Sequence, residues 1–519
     1  MKQHQIIIPL LSLLTASTML TSCDSFFDIK PESELVSEDF WLSKSDVESS
    51  VAACYRALIE PDVMERFIVW GEVRSDNVLR GSNPSTDISN ILNANVDATN
   101  GYTRWGCFYN AINFCNTVIE NAPGVMEKDP NFKQSELHAY VAEAKALRAL
   151  CYFYLVRTFD KVPFITEAYV DTSRPFNVPQ SDGDEIISKL LADLEPVASQ
   201  AKAVYSTTSN TKGHITQKAI WTLMADMYLW ENNYDKCIEY CNKVLNTVTN
   251  PLQLETTTTY NRNVFGLGNS KESIFELQFS SDSPDYIVNE MYGTTGGRNS
   301  SNHLSALDFA TFNTFIDRNS DTRFNDALFG STNATTIPIK KYVAYRNEST
   351  TSTVSSNDYV NNANTQNWII YRLSDVYLMK AEALTERNAA GDLEEALDMV
   401  SKTYDRANPS KGSNSLQLSN YNSQDAMRNL VFDERQREFL FEGKRYFDIM
   451  RRARRDGGVQ NILSNYLARK YATVDQATVQ SRIANINSLY MPINKDELKL
   501  NPLLEQNPFY KTSDGIVKK

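Results

Sequence analysis

The chain has 519 residues and a formal net charge of −12, and 42 % of its residues are hydrophobic and 11 % aromatic. This composition is typical of a folded globular protein and excludes an intrinsically disordered one. The acidic balance argues against nucleic acid or an anionic membrane face as the main partner. A basic cluster at residues 451–455 runs against that balance. A solvated helix end explains it better than a nucleic-acid role.

The first 22 residues are typical of a secretory signal peptide, with a short basic start, an apolar run and small residues before Cys23. The run is too short and too rich in Ser and Thr for a membrane span, which needs roughly 20 mostly apolar residues. The letters LTSC that end at Cys23 resemble a bacterial lipobox, which implies cleavage before Cys23 and its lipidation. Several acyl chains on one residue hold a protein durably at a bilayer. We expect residues 23–45 to form a lipidated tether; the alternative is an ordinary signal peptide with an incidental cysteine.

Apolar residues then recur at three- and four-residue spacing, which predicts amphipathic helices. The predicted helices run from near Ser45 to Pro61, from about Tyr102 to Asn121 with an end at Pro123-Gly124, from about Ser135 to before Pro163, and across 184–200.

Residues 216–247 predict a helical hairpin whose packing residues fall at the offsets of a tetratricopeptide unit, and a second copy starts at Tyr371. Such units must stack on neighbours to bury their apolar faces. We therefore predict an all-α, predominantly α-helical fold. Its tetratricopeptide-like helical repeats lie at about 46–247 and 370–455 and form a scaffold that is discontinuous in sequence.

Two polar stretches, 71–101 and 250–368, interrupt the helical pattern. The second is rich in Thr, Ser, Asn, Gly and Tyr, with only short strand-like pieces at 273–280 and 340–346. Long loops in a compact protein are commonly functional, so we expect the binding surface in these two stretches.

Sugar recognition needs flat aromatic faces against the apolar side of a ring, with amides, carboxylates and Arg for the hydroxyls. Twelve side chains of these types are the candidate ligand-binding residues. Those in or beside the first loop are Trp70, Arg74, Asp76, Asn77, Arg80 and Tyr102. Those in the insertion are Asp285, Tyr286, Asn289, Tyr292, Arg298 and Trp368. The alternative for each is that it packs in the core or caps a turn.

Glu434, Glu438 and Glu442 are spaced by four along one predicted helix face. Paired carboxylates are required for glycoside hydrolysis, but catalytic carboxylates face each other across a sugar. Structural salt bridges are the favoured interpretation, because interleaved cations offer each Glu an ion-pair partner. These cations are Arg435, Arg437, Lys444 and Arg445. The chain has only four His, and no spacing of a catalytic or metal-ligating set is present. We predict no catalytic residue, no metal site and no cofactor, and free, buried thiols for the six cysteines after Cys23.

Residues 430–454, LVFDERQREFLFEGKRYFDIMRRAR, closely resemble the ER…E…FEG.R..D…R signature of SusD/RagB-like proteins, the surface nutrient-binding lipoproteins of Bacteroidota. Gly443 of this signature is expected to allow a close turn or helix contact. Residues 23–58, 142–165 and 491–510 are similar to other blocks of the same family. One departure is Asn494, where the second proline of the closing motif is usual.

The resemblance implies that residues 46–519 form a single SusD-like fold, with four tetratricopeptide-like units supporting an irregular loop-rich half. It implies an outer-membrane, surface-exposed lipoprotein that captures an oligosaccharide, or in some members a peptide. The ligand would pass to a SusC-like TonB-dependent transporter, without catalysis. Binding residues vary with ligand in this family, so none transfers by position. A glycan-processing enzyme and a repeat-based protein adaptor remain the alternative functions.

Overall fold

A computed structural model of the chain describes residues 40–170, 174–293, 302–307, 314–329, 337–347, 359–412, 415–467, 470 and 476–511. The predicted signal peptide, Cys23, most of the predicted tether and Arg298 lie outside the described residues.

Helices dominate the described residues, as the sequence predicts. Those before the insertion at 250–368 are α1 (Lys44–Leu58), α2 (Pro61–Ile68), α3 (Thr86–Leu92), α4 (Gly106–Lys128), α5 (Gln134–Phe159), α6 (Gly183–Leu194), α7 (Thr208–Gly213), α8 (Gln217–Trp230) and α9 (Tyr234–Leu245). Those that follow are α10 (Ile287–Tyr292), α11 (Arg323–Ala327), α12 (Leu373–Arg387), α13 (Asp392–Ala407), α14 (Gln424–Glu438), α15 (Arg445–Arg455), α16 (Gln460–Ile462), α17 (Gln476–Ile483) and α18 (Lys495–Leu500).

The helix α4 is longer than predicted. The sequence places its end near Asn121, before Pro123, but Pro123 lies inside a helix that continues to Lys128. An internal proline removes one backbone hydrogen bond and costs about 3 kcal/mol in a helix. The last turns continue because Ala122 and Val125 are fully buried, and their packing outweighs that cost.

The helices pack as sequence-adjacent hairpins, α4 with α5, α8 with α9, and α12 with α13. The two predicted tetratricopeptide-like hairpins are therefore confirmed. The helix α9 also packs against α12, although the long insertion separates them in sequence. This contact joins the helices before the insertion to those after it in one helical scaffold, which is discontinuous in sequence as predicted. Within the described ranges, no helix has the length and apolarity that crossing a membrane requires.

Short strands occur in four antiparallel pairs, β1 with β5, β2 with β3, β4 with β8 and β6 with β7. Their bounds are β1 (Val78–Arg80), β2 (Val162–Pro163), β3 (Gln180–Ser181), β4 (Ser273–Leu277), β5 (Leu304–Ala306), β6 (Ala344–Arg346), β7 (Tyr359–Asn361) and β8 (Trp368–Arg372). Both strand-like pieces predicted in the insertion contain a strand. The β4–β8 pair fastens the insertion to α12, because β8 runs directly into that helix.

The cysteines of the described residues are free thiols, and all but the half-buried Cys107 are buried. The buried ones are Cys54, Cys115, Cys151, Cys237 and Cys241. They lie in α1, α4, α5 and α9, where each is a small core residue.

Two glycines let two backbone segments touch. Gly443 has a φ of +68°, which L side chains rarely adopt. A Cβ on Gly71 would lie 1.7 Å from the carbonyl oxygen of Gly443, a distance that no packing adjustment of side chains can relieve. The close contact expected for Gly443 is therefore confirmed. It brings the segment after α2 directly against the segment that joins α14 to α15.

We predict that Gly71→Ala lowers the free energy of unfolding by about 3 kcal/mol or more, because the added methyl group must push two backbones apart. Gly124→Ala is the matched control, since a Cβ there meets nothing within 4 Å. The control should be neutral or slightly stabilising. Urea denaturation of both variants measures the difference, and equal stabilities would contradict the proposed backbone contact.

Candidate functional site

The two loops predicted to bind a ligand meet in the structure. The strand β1 from the first loop pairs with β5 of the insertion, with Val78 opposite Ala306. His303, just before β5, extends this junction, since its Nδ1 donates to the carbonyl oxygen of Asn83 at 2.9 Å. Its Nε2 lies 3.3 Å from a carboxylate oxygen of Glu290 in α10. These contacts join residues 78–83 to β5 and α10. We call the two polar stretches, 71–101 and 250–368, together the loop-rich half.

Seven of the twelve predicted ligand residues are buried. They are Trp70, Arg74, Asp76, Asn77, Asp285, Tyr292 and Trp368. Most have clear partners within the protein. The indole of Trp70 stacks on Phe108, and the hydroxyl of Tyr292 donates to the carbonyl oxygen of Phe441 at 3.0 Å.

Arg74, Asn77 and Trp368 are also engaged. The Arg74 guanidinium donates to the carbonyl oxygens of Ser488 and Leu489, and Trp368 stacks on Tyr342. Asn77 accepts a hydrogen bond from Gln436 at 2.9 Å. In this structure these side chains contact other parts of the protein and lie away from solvent, and their role in ligand binding stays a prediction.

Four predicted residues lie nearer the surface. Tyr286 is 63 % exposed, Arg80 is exposed, and Tyr102 and Asn289 are half-buried. Tyr102 lies under the guanidinium of Arg66, 5.8 Å from its ring centroid. These four are the predicted positions that a ligand can reach in the described part of the chain.

The three glutamates spaced by four are fully buried in an ion-pair network. Arg372 donates to Glu438 at 2.5 Å and to Glu442 at 2.8 Å. Arg323 donates to Glu434 at 2.8 Å and to Glu438 at 2.9 Å. The carboxylates thus point at guanidinium groups and do not face each other across an open cleft. Structural salt bridges are confirmed, but the predicted partners are mostly wrong. Among the described residues only Arg437 of the four pairs with one of these glutamates, Glu434 at 2.9 Å, whereas Arg435 and Arg445 pair with Asp448 and Asp76.

Electrostatics explain how these carboxylates stay charged in the interior. Burial alone would raise the pKa of Glu442, but attraction from Arg372 and Lys341 outweighs it and lowers the pKa to about 2. The pKa of Glu438 is likewise lowered, since Arg406, Arg372 and Arg323 outweigh the effect of its burial. Both side chains therefore remain ionised and unable to act as general acids near neutral pH.

The basic cluster at 451–455 is not a solvated helix end, and that prediction is wrong in this respect. Arg451 and Arg452 are buried. Arg451 donates to both Glu382 and Asp448, and Arg455 lies 2.9 Å from Glu386. These Arg side chains pair with Glu382 and Glu386 of α12, which is remote in sequence, and with Asp448 of their own helix α15. A nucleic-acid surface is excluded for these buried side chains.

The structure is a scaffold of helical repeats that carries a loop-rich half and is joined by buried ion pairs. Comparison with known proteins identifies the family that shares this architecture. A profile described as the SusD family matches residues 325–510, and one described as starch-binding associating with outer membrane matches residues 25–229. SusD-like protein P38 of Formosa agariphila is 26 % identical over 476 residues, covering 85 % of this chain and 90 % of the relative. A SusD-like protein of Bacteroides ovatus is 25 % identical, covering 85 % and 82 %.

Solved structures share the fold. A SusD superfamily protein of Bacteroides thetaiotaomicron superposes with a TM-score of 0.72 at 18 % identity, covering 91 % of this chain and 99 % of that one. One from Bacteroides vulgatus gives a TM-score of 0.70 at 20 % identity, covering 91 % and 100 %. The chain belongs to the SusD/RagB-like family, as its signature at 430–454 predicts.

We predict that Arg372→Met lowers the free energy of unfolding by about 3–5 kcal/mol, because it leaves Glu438 and Glu442 buried with fewer partners. Lys402→Met is the control, since its ion pair with Asp398 lies at the surface and is worth less than about 1 kcal/mol. Chemical denaturation of the two variants measures the contrast. A loss for Arg372→Met as small as that of the control would show that the network does not support the fold.

Proposed function

We propose that the protein is a cell-surface lipoprotein that captures a glycan and delivers it to a SusC-like TonB-dependent outer-membrane transporter. Membership of the SusD/RagB-like family supports this role in general terms. SusD-like proteins are binding proteins, and the engaged carboxylates of α14 fit that role. Capture of a peptide in the same transport role is the alternative, and the ligand test below separates the two.

The observation that carries the proposal is the position of Tyr286. In the described part of the insertion it is the one large aromatic side chain with more than half of its surface exposed. It stands at the start of α10, and α10 packs against both α2 and β5. Tyr286 therefore lies beside the junction of the two loops, and its exposed ring suits a face that stacks on a sugar ring.

Polar groups contact the residues that precede Tyr286 in the chain. The segment 361–367 has the sequence NNANTQN, and its Asn364 carbonyl oxygen accepts the backbone N–H of Asp285 at 2.7 Å. The Arg56 guanidinium donates to the Ser283 hydroxyl at 3.3 Å. Amide and guanidinium groups beside an aromatic face can bind the hydroxyls of an extended polar ligand.

Membrane attachment through Cys23 is part of the proposal. The LTSC motif supports it, and so does the match to a profile described as associating with the outer membrane. Four acidic residues follow Cys23, namely Asp24, Asp28, Glu32 and Glu34. They resemble the negatively charged start of surface-exported lipoproteins in this family, which is the reason for proposing that the protein faces outward.

We predict that Tyr286→Ala weakens ligand binding by about tenfold, because an aromatic contact is worth about 0.5–1.5 kcal/mol beyond its buried area. Residues 24–519 would first be screened against glycan and peptide arrays, and the best ligand then titrated by calorimetry. Phe176→Ala is the matched control, since Phe176 is 64 % exposed on the segment between α5 and α6. Equal binding by both variants, or a large loss of thermal stability in Tyr286→Ala, would remove Tyr286 from the site.

We predict that Cys23→Ala moves the protein from the membrane fraction to the soluble fraction, because the lipid is the proposed attachment. Cys107→Ala is the matched control, because it also removes one cysteine, and it should leave the protein in the membrane. Fractionation is carried out in cells without a transporter, so that no protein partner retains the chain. Continued attachment of Cys23→Ala in those cells would contradict lipid anchoring.

A further inference from the structure

The exposed side of α10 carries a carboxylate one helical turn after Tyr286. The Glu290 side chain is 55 % exposed, and its backbone N–H donates to the carbonyl oxygen of Tyr286 at 3.0 Å. Because Tyr286 has helical backbone angles, this spacing puts the two side chains on one side of the helix, with about 5–6 Å between their Cβ atoms. The buried residues of α10 are Ile287, Val288, Met291 and Tyr292. The ring of Tyr286 and the carboxylate of Glu290 therefore share a solvent-facing surface.

His303 is fixed beside this carboxylate by its backbone and by its side chain. Its backbone N–H donates to the carbonyl oxygen of Glu290 at 3.2 Å, and its own carbonyl oxygen accepts the N–H of Gly81 at 2.9 Å. Its Nδ1 donates to the carbonyl oxygen of Asn83 at 2.9 Å, and its Nε2 lies 3.3 Å from Oε1 of Glu290. His303 thus links the first loop to α10, with an imidazole that is only 15 % exposed.

The partners of the imidazole determine its protonation. A carbonyl oxygen and an ionised carboxylate oxygen accept hydrogen bonds and cannot donate them, so both ring nitrogens of His303 must carry a proton. Both nitrogens donate only in the imidazolium cation. The contact with Glu290 is therefore made by a protonated His303 and an ionised carboxylate. It holds Oε1, while no hydrogen bond within the described ranges uses the other oxygen, Oε2.

We propose that Glu290 binds hydroxyl groups of the captured glycan and that His303 is the positioning residue that orients its carboxylate. This inference rests on the proposed function, since it takes the sugar ring to stack on Tyr286. A sugar hydroxyl donates to a carboxylate oxygen in a charge-assisted hydrogen bond, which is about twice as strong as a neutral one. An aromatic face with a strong acceptor one helical turn away matches the apolar face and the hydroxyl rim of a sugar.

The charges near Glu290 favour an uncharged glycan. The helix α2 packs against α10 and brings Glu65 within electrostatic reach of Glu290. Burial raises the pKa of Glu65 and Glu290 adds to the rise, whereas Tyr102 and Arg66 oppose it. On the neighbouring strand β1, Arg80 is exposed and offsets part of the negative charge. Two neighbouring carboxylates repel the acidic groups of a uronate or a sulfated sugar, because like charges placed together at an interface are unfavourable.

The same contact makes capture sensitive to pH. Histidine changes its charge between about pH 5 and 8, and loss of the Nε2 proton as pH rises removes the contact that orients Glu290. Affinity is therefore higher where imidazolium and carboxylate coexist, and it falls as pH rises. Asp285 also titrates in this range, since burial raises its pKa to about 7. A variant of His303 separates the two groups, because Asp285 remains in it.

The test uses residues 24–519 and an array of neutral and uronic-acid hexasaccharides, and the strongest binder is titrated by calorimetry at pH 6 and pH 8. We expect a neutral glycan to bind most strongly, and its Kd to rise about two- to fivefold from pH 6 to pH 8. Glu290→Gln should weaken binding about three- to tenfold at pH 6. Glu394→Gln, which changes an exposed carboxylate on α13, is the matched control and should bind as the unchanged protein does.

His303→Asn removes the contact with Glu290, while its shorter amide can still donate to the carbonyl oxygen of Asn83. At pH 6 this variant should bind about as weakly as the unchanged protein does at pH 8. Thermal unfolding at both pH values checks that each variant is folded. If His303→Asn does not fold, the comparison of Glu290→Gln with its control still decides, because the Glu290 side chain is exposed.

Equal affinities of Glu290→Gln and Glu394→Gln would overturn the inference. So would an unchanged pH dependence in folded His303→Asn, or strongest binding of a uronate. In each of these cases a glycan whose binding still depends on Tyr286 leaves the proposed function standing. No binding of any glycan by the unchanged protein would overturn both.

Discussion

Arg372 connects the helical scaffold to the loop-rich half. It ends β8 and immediately precedes α12 as its N-cap, and its fully buried guanidinium bonds to Glu438 of α14 and to Glu442 beyond it. Arg323 of the insertion bonds to the same Glu438, and Arg406 of α13 reaches it as well. Four segments that are remote in sequence therefore share one carboxylate.

Buried ion pairs add little net stability compared with a well-packed apolar core, but breaking one is costly. Here they determine where the loops lie against the helices. Each guanidinium satisfies its hydrogen bonds only when its carboxylate partners are in place. The loops therefore dock in one arrangement. The backbone contact of Gly71 with Gly443 fixes the same junction from the other side. A binding surface carried on loops needs supports of this kind, because they hold its residues in one arrangement.

Much of the scaffold could be predicted from the sequence, because an amphipathic helix repeats its apolar residues locally. The hairpins at α8–α9 and α12–α13 followed from that spacing, and the signature at 430–454 indicated the family. The end of α4 could not be predicted, since packing of Val125 outweighs the local effect of Pro123. The loop residues were harder still. Asp76 and Asn77 have the side chains of a sugar site, but their partners Arg445 and Gln436 lie some 360 residues away in the chain.

That distance explains why residue type alone does not separate a ligand contact from a buried support. One signal was present, because the family signature contains more Arg than Glu, and two of these Arg pair with acids outside the signature, Asp76 and Glu382. Exposure of a side chain such as Tyr286 depends on how the insertion folds over the scaffold. No local pattern encodes it.

Purification of the tagged, full-length protein from detergent-solubilised outer membranes tests the central claim most directly. Capture for import predicts that a TonB-dependent transporter barrel co-purifies in a fixed stoichiometry, identified by mass spectrometry. Recovery of the protein alone, with no barrel, under conditions that preserve other outer-membrane complexes would contradict the account.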